Sequence, residues 1–354
     1  MESKLYSTCY KVAQVCWMVL LGLFFQHDTF SQVKAYNLNL DGLEYPFPVK
    51  HMEIEAQRQF FRMAYMDVVP TNPNGNTVVL MHGKSFNGAY WKRTADTLVK
   101  AGYRVIIPDQ IGFGKSTKPR CFQYSFCQLA EITKRLLDML GVGQASIVGH
   151  SMGGMLAVRF TLMYPERVAR LVLENPIGLE DYRKKVPYQT LDSWYQKELK
   201  QDYESLKKYQ MASYYHNKWT AEYTKWLEIL AGWTLIEDYP VMAWNSALTT
   251  EMIMSQPVMY DFSNIKKQTL LIIGQLDKTA LGKDLVPQEV QETMGNYPRL
   301  GVEASEKICH SRLVKIPDAG HVPHIEVFDE FIQPLVHFLE NGYLSNEQPS
   351  TNLR

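Results

Sequence analysis

Gly149-His150-Ser151-Met152-Gly153-Gly154 sets a serine in a Gly-x-Ser-x-Gly turn. The apolar run Ala145-Ser146-Ile147-Val148 precedes it, and a helical segment, Met152 to Tyr164, follows. A strand-to-helix turn this sharp strains the serine backbone, and small neighbours at Gly149 and Gly153 avoid clashes. The turn lifts the hydroxyl above the strand ends. It also sets it at a helix N-terminus, where free N–H groups favour developing negative charge. A serine hydroxyl is a weak nucleophile and needs a base. One recurring chain order for such groups is nucleophile, acid, base. Gly274-Gln275-Leu276-Asp277 follows the apolar run Leu270 to Ile273, so Asp277 sits in a strand-end loop as the expected acid. Asp318-Ala319-Gly320-His321-Val322-Pro323 follows Arg312 to Ile316 and offers His321 as the expected base. Ligands in open α/β sheets bind at that same edge.

Acyl transfer also needs two backbone N–H groups facing the developing oxyanion. Met152, after the serine, supplies one. The second comes from the loop His82-Gly83-Lys84-Ser85, with Lys84 the preferred donor and Ser85 the second choice. Gly83 lets that backbone turn, and His82 braces it. Each assignment has a rival. His324 lies three residues past His321 and is the competing base. Glu174 ends a strand and is the alternative acid. His150 touches the serine in sequence but reads as a packing residue. The cysteines and remaining histidines show no metal-ligand spacing.

Alternating strands and helices must hold these residues in place. Phe60 to Val69, Thr77 to Met81, Arg104 to Ile107, Ala145 to Val148 and Val168 to Leu173 read as strands. Between them, Tyr90 to Ala101, Ser125 to Leu140 and Met152 to Tyr164 have helical spacing. Strands separated by helices of this length imply parallel pairing with right-handed crossovers. Residues 176–262 break the pattern. They carry Trp194, Trp219, Trp226, Trp233 and Trp244, set apolar and aromatic residues such as Trp219, Tyr223, Trp226 and Leu230 at helical spacing and hold no convincing buried strand, so they read as an inserted helical cap. Most of those aromatics are expected to hold the cap helices together. The alternation resumes at Thr269 to Ile273 and closes with a helix near Phe328 to Leu339. The expected domains are therefore a core of residues 32–175 and 263–342, with the cap between.

The ends read differently. The apolar stretch Val12 to Phe25, interrupted only by Gln14 and Gly22, is short for a membrane span of about 20 residues. With Lys4 and Lys11 before it and Thr29-Phe30-Ser31 after it, residues 1–31 read as a signal peptide. An uncleaved anchor is the alternative. The expectation is an exported chain, periplasmic or secreted, without stable membrane insertion once the leader is removed. The polar tail, residues 343–354, reads as disordered. In an oxidising compartment Cys121 and Cys127 can pair, although three separate thiols, with Cys309, is the preferred reading. Lys plus Arg and Asp plus Glu number 37 each, and no basic block occurs, so the electrostatic footprint of a nucleic-acid binder is missing.

Taken together, His82-Gly83, Asp109-Gln110-Ile111-Gly112-Phe113-Gly114-Lys115-Ser116, the Ser151 turn, Gly274-x-x-Asp277 and Gly320-His321-x-Pro323 resemble the α/β-hydrolase superfamily. Within it the chain is similar to the lactonases, esterases, C–C bond hydrolases and proline iminopeptidases. The resemblance covers roughly residues 50–342. It implies a mostly parallel eight-stranded sheet flanked by helices, a helical cap, no cofactor and a small-molecule substrate. Epoxide hydrolases and haloalkane dehalogenases of this superfamily use an aspartate where this chain has Ser151. The resemblance thus points to acyl transfer to water, with a small or medium carboxylic ester, lactone or thioester as the leading substrate. Aminopeptidase or amidase activity of the proline iminopeptidase type would call on acidic cap residues such as Glu228, Glu237 and Asp238. C–C bond hydrolysis, and a non-catalytic ligand-binding role, are the further alternatives.

Overall fold

The computed structural model describes residues 33–342. The signal-peptide reading of residues 1–31 and the disordered tail at 343–354 lie outside the described residues. The compact unit starting at Ala35 contains eight strands: β1 Val49–Ala56, β2 Gln59–Val68, β3 Thr77–Met81, β4 Arg104–Pro108, β5 Ala145–His150, β6 Val168–Glu174, β7 Thr269–Gly274 and β8 Ser311–Ile316. They form one sheet in the order β1-β2-β4-β3-β5-β6-β7-β8. β1 pairs antiparallel with β2, and β2 antiparallel with β4. All other pairings are parallel.

The parallel strands are near-continuous apolar runs because both faces of the sheet are covered. Successive side chains enter opposite cores. Val79, Ile147 and Leu271 pack against helices α2 (Phe126–Met139) and α3 (Met152–Met163), through Leu129, Ile132 and Leu156. Val78, Val148 and Leu270 pack on the other face with Leu98 of α1 (Lys92–Lys100), which precedes α2, and with Phe331 and Leu335 of the last helix, Phe328–Asn341. Each fully buried Leu or Ile contributes about 1.5–3 kcal/mol relative to exposure.

β1 goes beyond the sequence reading, in which the first strand is Phe60 to Val69. Met52 and Ile54 point inward while His51, Glu53 and Glu55 face solvent. The β1–β2 turn is Gln57-Arg58, both at positive φ (52° and 59°). That is the type I′ geometry, without the Asn-Gly or Asp-Gly pair that marks it in a sequence.

Between β6 and β7, residues 176–262 contain no strand. They hold α4 (Leu191–Glu198), α5 (Tyr203–Ser213), α6 (Ala221–Thr234) and α7 (Tyr239–Ser255). Thr190, Asp202 and Thr220 cap the first three with side-chain oxygens. The aromatics join these helices: Tyr215 stacks on Tyr223 with centroids 3.8 Å apart, and Trp226 and Trp233 are buried. Four helices follow among the described residues: α8 (Gln288–Gln291), α9 (Tyr297–Lys307), α10 (Pro323–Glu326) and α11 (Phe328–Asn341). Cys121, Cys127 and Cys309 are free, exposed thiols, so Cys121 and Cys127 are not paired.

Candidate active site

Ser151 stands between β5 and α3 at φ 56° and ψ −121°, a backbone conformation rare for a side-chain-bearing residue. Its neighbours must be glycines. A Cβ on Gly149 would lie 2.2 Å from the Gly153 carbonyl oxygen, and one on Gly153 would lie 2.3 Å from that of Met81. The Ser151 N–H donates to the Glu174 carbonyl at 3.2 Å, which ties the turn to the end of β6.

The structure brings the three expected residues together across more than a hundred positions of chain. His321 Nε2 lies 2.9 Å from Ser151 Oγ, and His321 Nδ1 lies 2.7 Å from Asp277 Oδ2. An ionised carboxylate only accepts, so Nδ1 carries the proton and Nε2 is free to accept from the serine hydroxyl. Asp277 Oδ1 accepts the Thr279 N–H at 2.8 Å, and Asn175 Nδ2 donates to Oδ2 at 2.8 Å. His321 and Asp277 are buried, and Ser151 is only 5% exposed.

The rival acid and base bond to each other. Glu174 Oε1 accepts both the backbone N–H of His324 at 2.9 Å and its Nδ1 at 2.9 Å. The His324 ring stacks on Trp91 at 4.2 Å. His150 is more than packing. Its Nε2 lies 2.8 Å from the His321 carbonyl oxygen, and its Nδ1 lies 3.0 Å from the Tyr90 hydroxyl. Tyr90 in turn accepts the Gly83 N–H at 3.0 Å. Burial, reinforced by neighbouring His321 and His324, holds the His150 imidazole well below its ordinary pKa. The neutral ring donates from Nε2 and accepts at Nδ1.

The loop after β3 lies against the serine. A Cβ on Gly83 would lie 3.0 Å from Ser151 Cβ. His82 Nε2 accepts the Gln110 N–H at 3.0 Å and its Nδ1 donates to the Gly83 carbonyl at 2.9 Å, so His82 braces the loop. Burial lowers its pKa too, which keeps the ring neutral. Met152 opens α3, where the first N–H groups have no partner within the helix. The Lys84 side chain turns to the insertion, with Nζ 2.5 Å from Ser246 Oγ and 3.4 Å from Glu198 Oε1. Ser85 Oγ lies 3.2 Å from the Tyr214 hydroxyl.

Three residues without a sequence signal complete the site. Tyr214, just past α5, accepts the His321 N–H on its carbonyl at 2.9 Å and stacks its ring 4.5 Å from the imidazole. Glu326 accepts the N–H groups on either side of His321, from Gly320 at 3.0 Å and Val322 at 2.8 Å. Burial pushes its carboxyl up to about 7. Asn175 is the third. Glu237 and Asp238, candidate anchors for a substrate amine, are exposed at the start of α7. Among the described residues no group of three or more His, Cys, Asp or Glu side chains could hold a metal ion.

A hydroxyl, an imidazole and a carboxylate thus stand in hydrogen-bonded series at the carboxyl edge of the sheet, the geometry in which an imidazole can draw a proton from a serine hydroxyl. The chain belongs to the alpha/beta hydrolase fold family, whose model matches residues 76–327. A probable hydrolytic enzyme from Pseudomonas aeruginosa is 47% identical, with a TM-score of 0.86, over 87% of this chain and 99% of that one. The 2-hydroxy-6-oxo-6-phenylhexa-2,4-dienoate hydrolase of Comamonas testosteroni is 28% identical over 75% of this chain and 88% of its own length. An enol-lactonase from Burkholderia xenovorans shares the fold at 21% identity and a TM-score of 0.61, over 82% of this chain and all of its own.

Proposed function

We propose that the protein hydrolyses a small or medium carboxylic ester, lactone or thioester through an acyl-enzyme on Ser151. The observation that carries this reading is the continuous series Ser151 Oγ, His321 Nε2, His321 Nδ1 and Asp277 Oδ2, with bonds of 2.9 and 2.7 Å. His321 takes the Ser151 proton as Oγ bonds to the substrate carbonyl carbon. Asp277 holds the imidazole in the required tautomer and stabilises its cation. The Met152 and Lys84 amides receive the oxyanion. His321 protonates the leaving group, and water repeats both steps to release the acid. The aromatic insertion over a nearly enclosed serine suits an apolar acyl group of limited size.

The test is p-nitrophenyl ester hydrolysis by wild type and Ser151→Ala across acyl chain lengths. Loss of the nucleophile should lower kcat by about 10⁴-fold or more. Residual activity within tenfold of wild type removes Ser151 from the role. C–C bond hydrolysis is the second reading, favoured by the similarity to the Comamonas dienoate hydrolase over most of its length. Turnover of 2-hydroxy-6-oxo-6-phenylhexa-2,4-dienoate faster than any ester would select it.

A further inference from the structure

Asn175 is the first residue beyond β6, fully buried, and its φ of 35° lies in the left-handed region. Asparagine tolerates that region better than most side-chain-bearing residues. Its backbone N–H donates to the Ile272 carbonyl at 3.0 Å, which holds the residue against β7. Its side chain then makes two bonds of different kinds. Oδ1 accepts the Gly274 N–H at 2.9 Å, at the end of β7. Nδ2 donates to Asp277 Oδ2 at 2.8 Å, the same oxygen that faces His321 Nδ1. The first bond fixes the turn that carries the acid. The second reaches the acid itself.

We propose that Asn175 is a positioning residue for the Asp277–His321 pair, its amide locking the Asp277 carboxylate in the orientation that holds the His321 tautomer. The inference rests on the proposed serine mechanism. With Thr279 N–H on Oδ1 and the Asn175 amide on Oδ2, the carboxylate cannot rotate without losing a buried hydrogen bond. Oδ2 therefore stays aimed at Nδ1. Without the amide, one donor is gone and the carboxylate gains a torsional freedom that competes with the imidazole contact. A residue that only filled space between β6 and β7 would act independently of Asp277.

A double-mutant cycle separates the two roles. Asn175→Gly removes both side-chain bonds while keeping the positive φ at no steric cost. It should lower kcat on p-nitrophenyl butyrate by about ten- to a hundredfold with KM within about threefold, the pattern of a lost transition-state contribution. In the Asp277→Ala background the same substitution should cost less than about threefold, because the group it acts through is gone. Equal losses in both backgrounds overturn the inference. A measurement on the unsubstituted chain needs no variant to fold. With ¹⁵N-labelled asparagine, the Asn175 Nδ2 resonance should move when an alkyl fluorophosphonate occupies Ser151 and His321 becomes a cation. An unmoved resonance on fully modified protein also overturns it. If Ser151→Ala stays active, the serine mechanism fails. If Ser151→Ala is dead and the cycle is additive, only the role of Asn175 fails.

Discussion

His150 Nε2 meets the His321 carbonyl oxygen at 2.8 Å, so the residue beside the serine holds the loop that carries the imidazole. The contact is one link of a chain. Gly83 N–H donates to Tyr90, Tyr90 to His150, and His150 to His321. Tyr90 and His150 each give one proton and accept one, and both are buried. The loop that presents Lys84 and the loop that presents His321 are thereby held in register across the serine.

Tyr90→Phe tests that chain. The ring stays, with its stacking on Phe86 at 4.8 Å. The Gly83 N–H and His150 Nδ1 lose their partner in a buried setting. Each orphaned group costs about 1–3 kcal/mol, so the variant should lose roughly 2–6 kcal/mol of stability. Urea unfolding with an unchanged m-value reads it. A loss below about 0.5 kcal/mol would mean water replaces the hydroxyl and the chain is not a brace.

The sequence displays the residues that bring their own local structure and hides those that act at a distance. Ser151, Asp277 and His321 each come after a strand and within three residues after a glycine, so their positions can be read from the chain. Asn175, Tyr214 and Glu326 carry no such mark. Their roles arise only when β6 lies next to β7, when the insertion folds over the sheet, and when α10 turns its last residue back onto the His321 loop. Tyr214 shows this most plainly. It is one of many aromatics at helical spacing in the insertion, and nothing local distinguishes it from Tyr215, which packs among aromatics instead. β1 is hidden for a different reason: an antiparallel edge strand with one wet face carries His and Glu between its apolar residues, and a Gln-Arg turn does not advertise a hairpin.

Tyr214 reports whether the insertion contributes to the chemistry. Tyr214→Phe keeps the ring over His321 and the carbonyl bond, and loses the hydroxyl contacts to Ser85 and Tyr209. It should retain kcat within about threefold. Tyr214→Ala removes the ring that confines the imidazole, and should lower kcat by about tenfold through misplacement of the base. Steady-state kinetics on one ester compares the pair. Equal activity of the two variants would make the stack incidental.

Glu326 gives a pH dependence of definite sign. Its folded pKa, about 7, lies above its ordinary value of 4.5 because burial disfavours the charged form, with a smaller push from Asp277. The Gly320 and Val322 N–H groups and nearby His321 pull the other way and leave the net shift upward. Between these two values the folded chain binds more protons than the unfolded chain, so this group's contribution to stability is lost as pH rises from about 4.5 to 7. Glu326→Gln removes that contribution. The variant starts less stable, because an amide cannot accept both N–H groups on its two ends. Its unfolding midpoint should fall less between pH 5 and pH 7.5 than that of wild type. Parallel slopes for the two proteins would show that Glu326 does not titrate in this range.

His324 decides which histidine is the base. Its Nδ1 and backbone N–H both bond to Glu174, and neither sits against Ser151. His324→Gln should therefore leave kcat within about tenfold, whereas His321→Gln should reduce it as far as Ser151→Ala does. Stability should follow the opposite order. Glu174 and His324 are buried, and disrupting one partner of such a pair costs about 3–5 kcal/mol. The glutamine amide can still donate to Glu174, which puts the expected loss toward the lower end. Thermal unfolding beside ester kinetics separates the outcomes. If His324→Gln were inactive yet as stable as wild type, the base would have to be reassigned, because no loss of packing could then explain the loss of turnover.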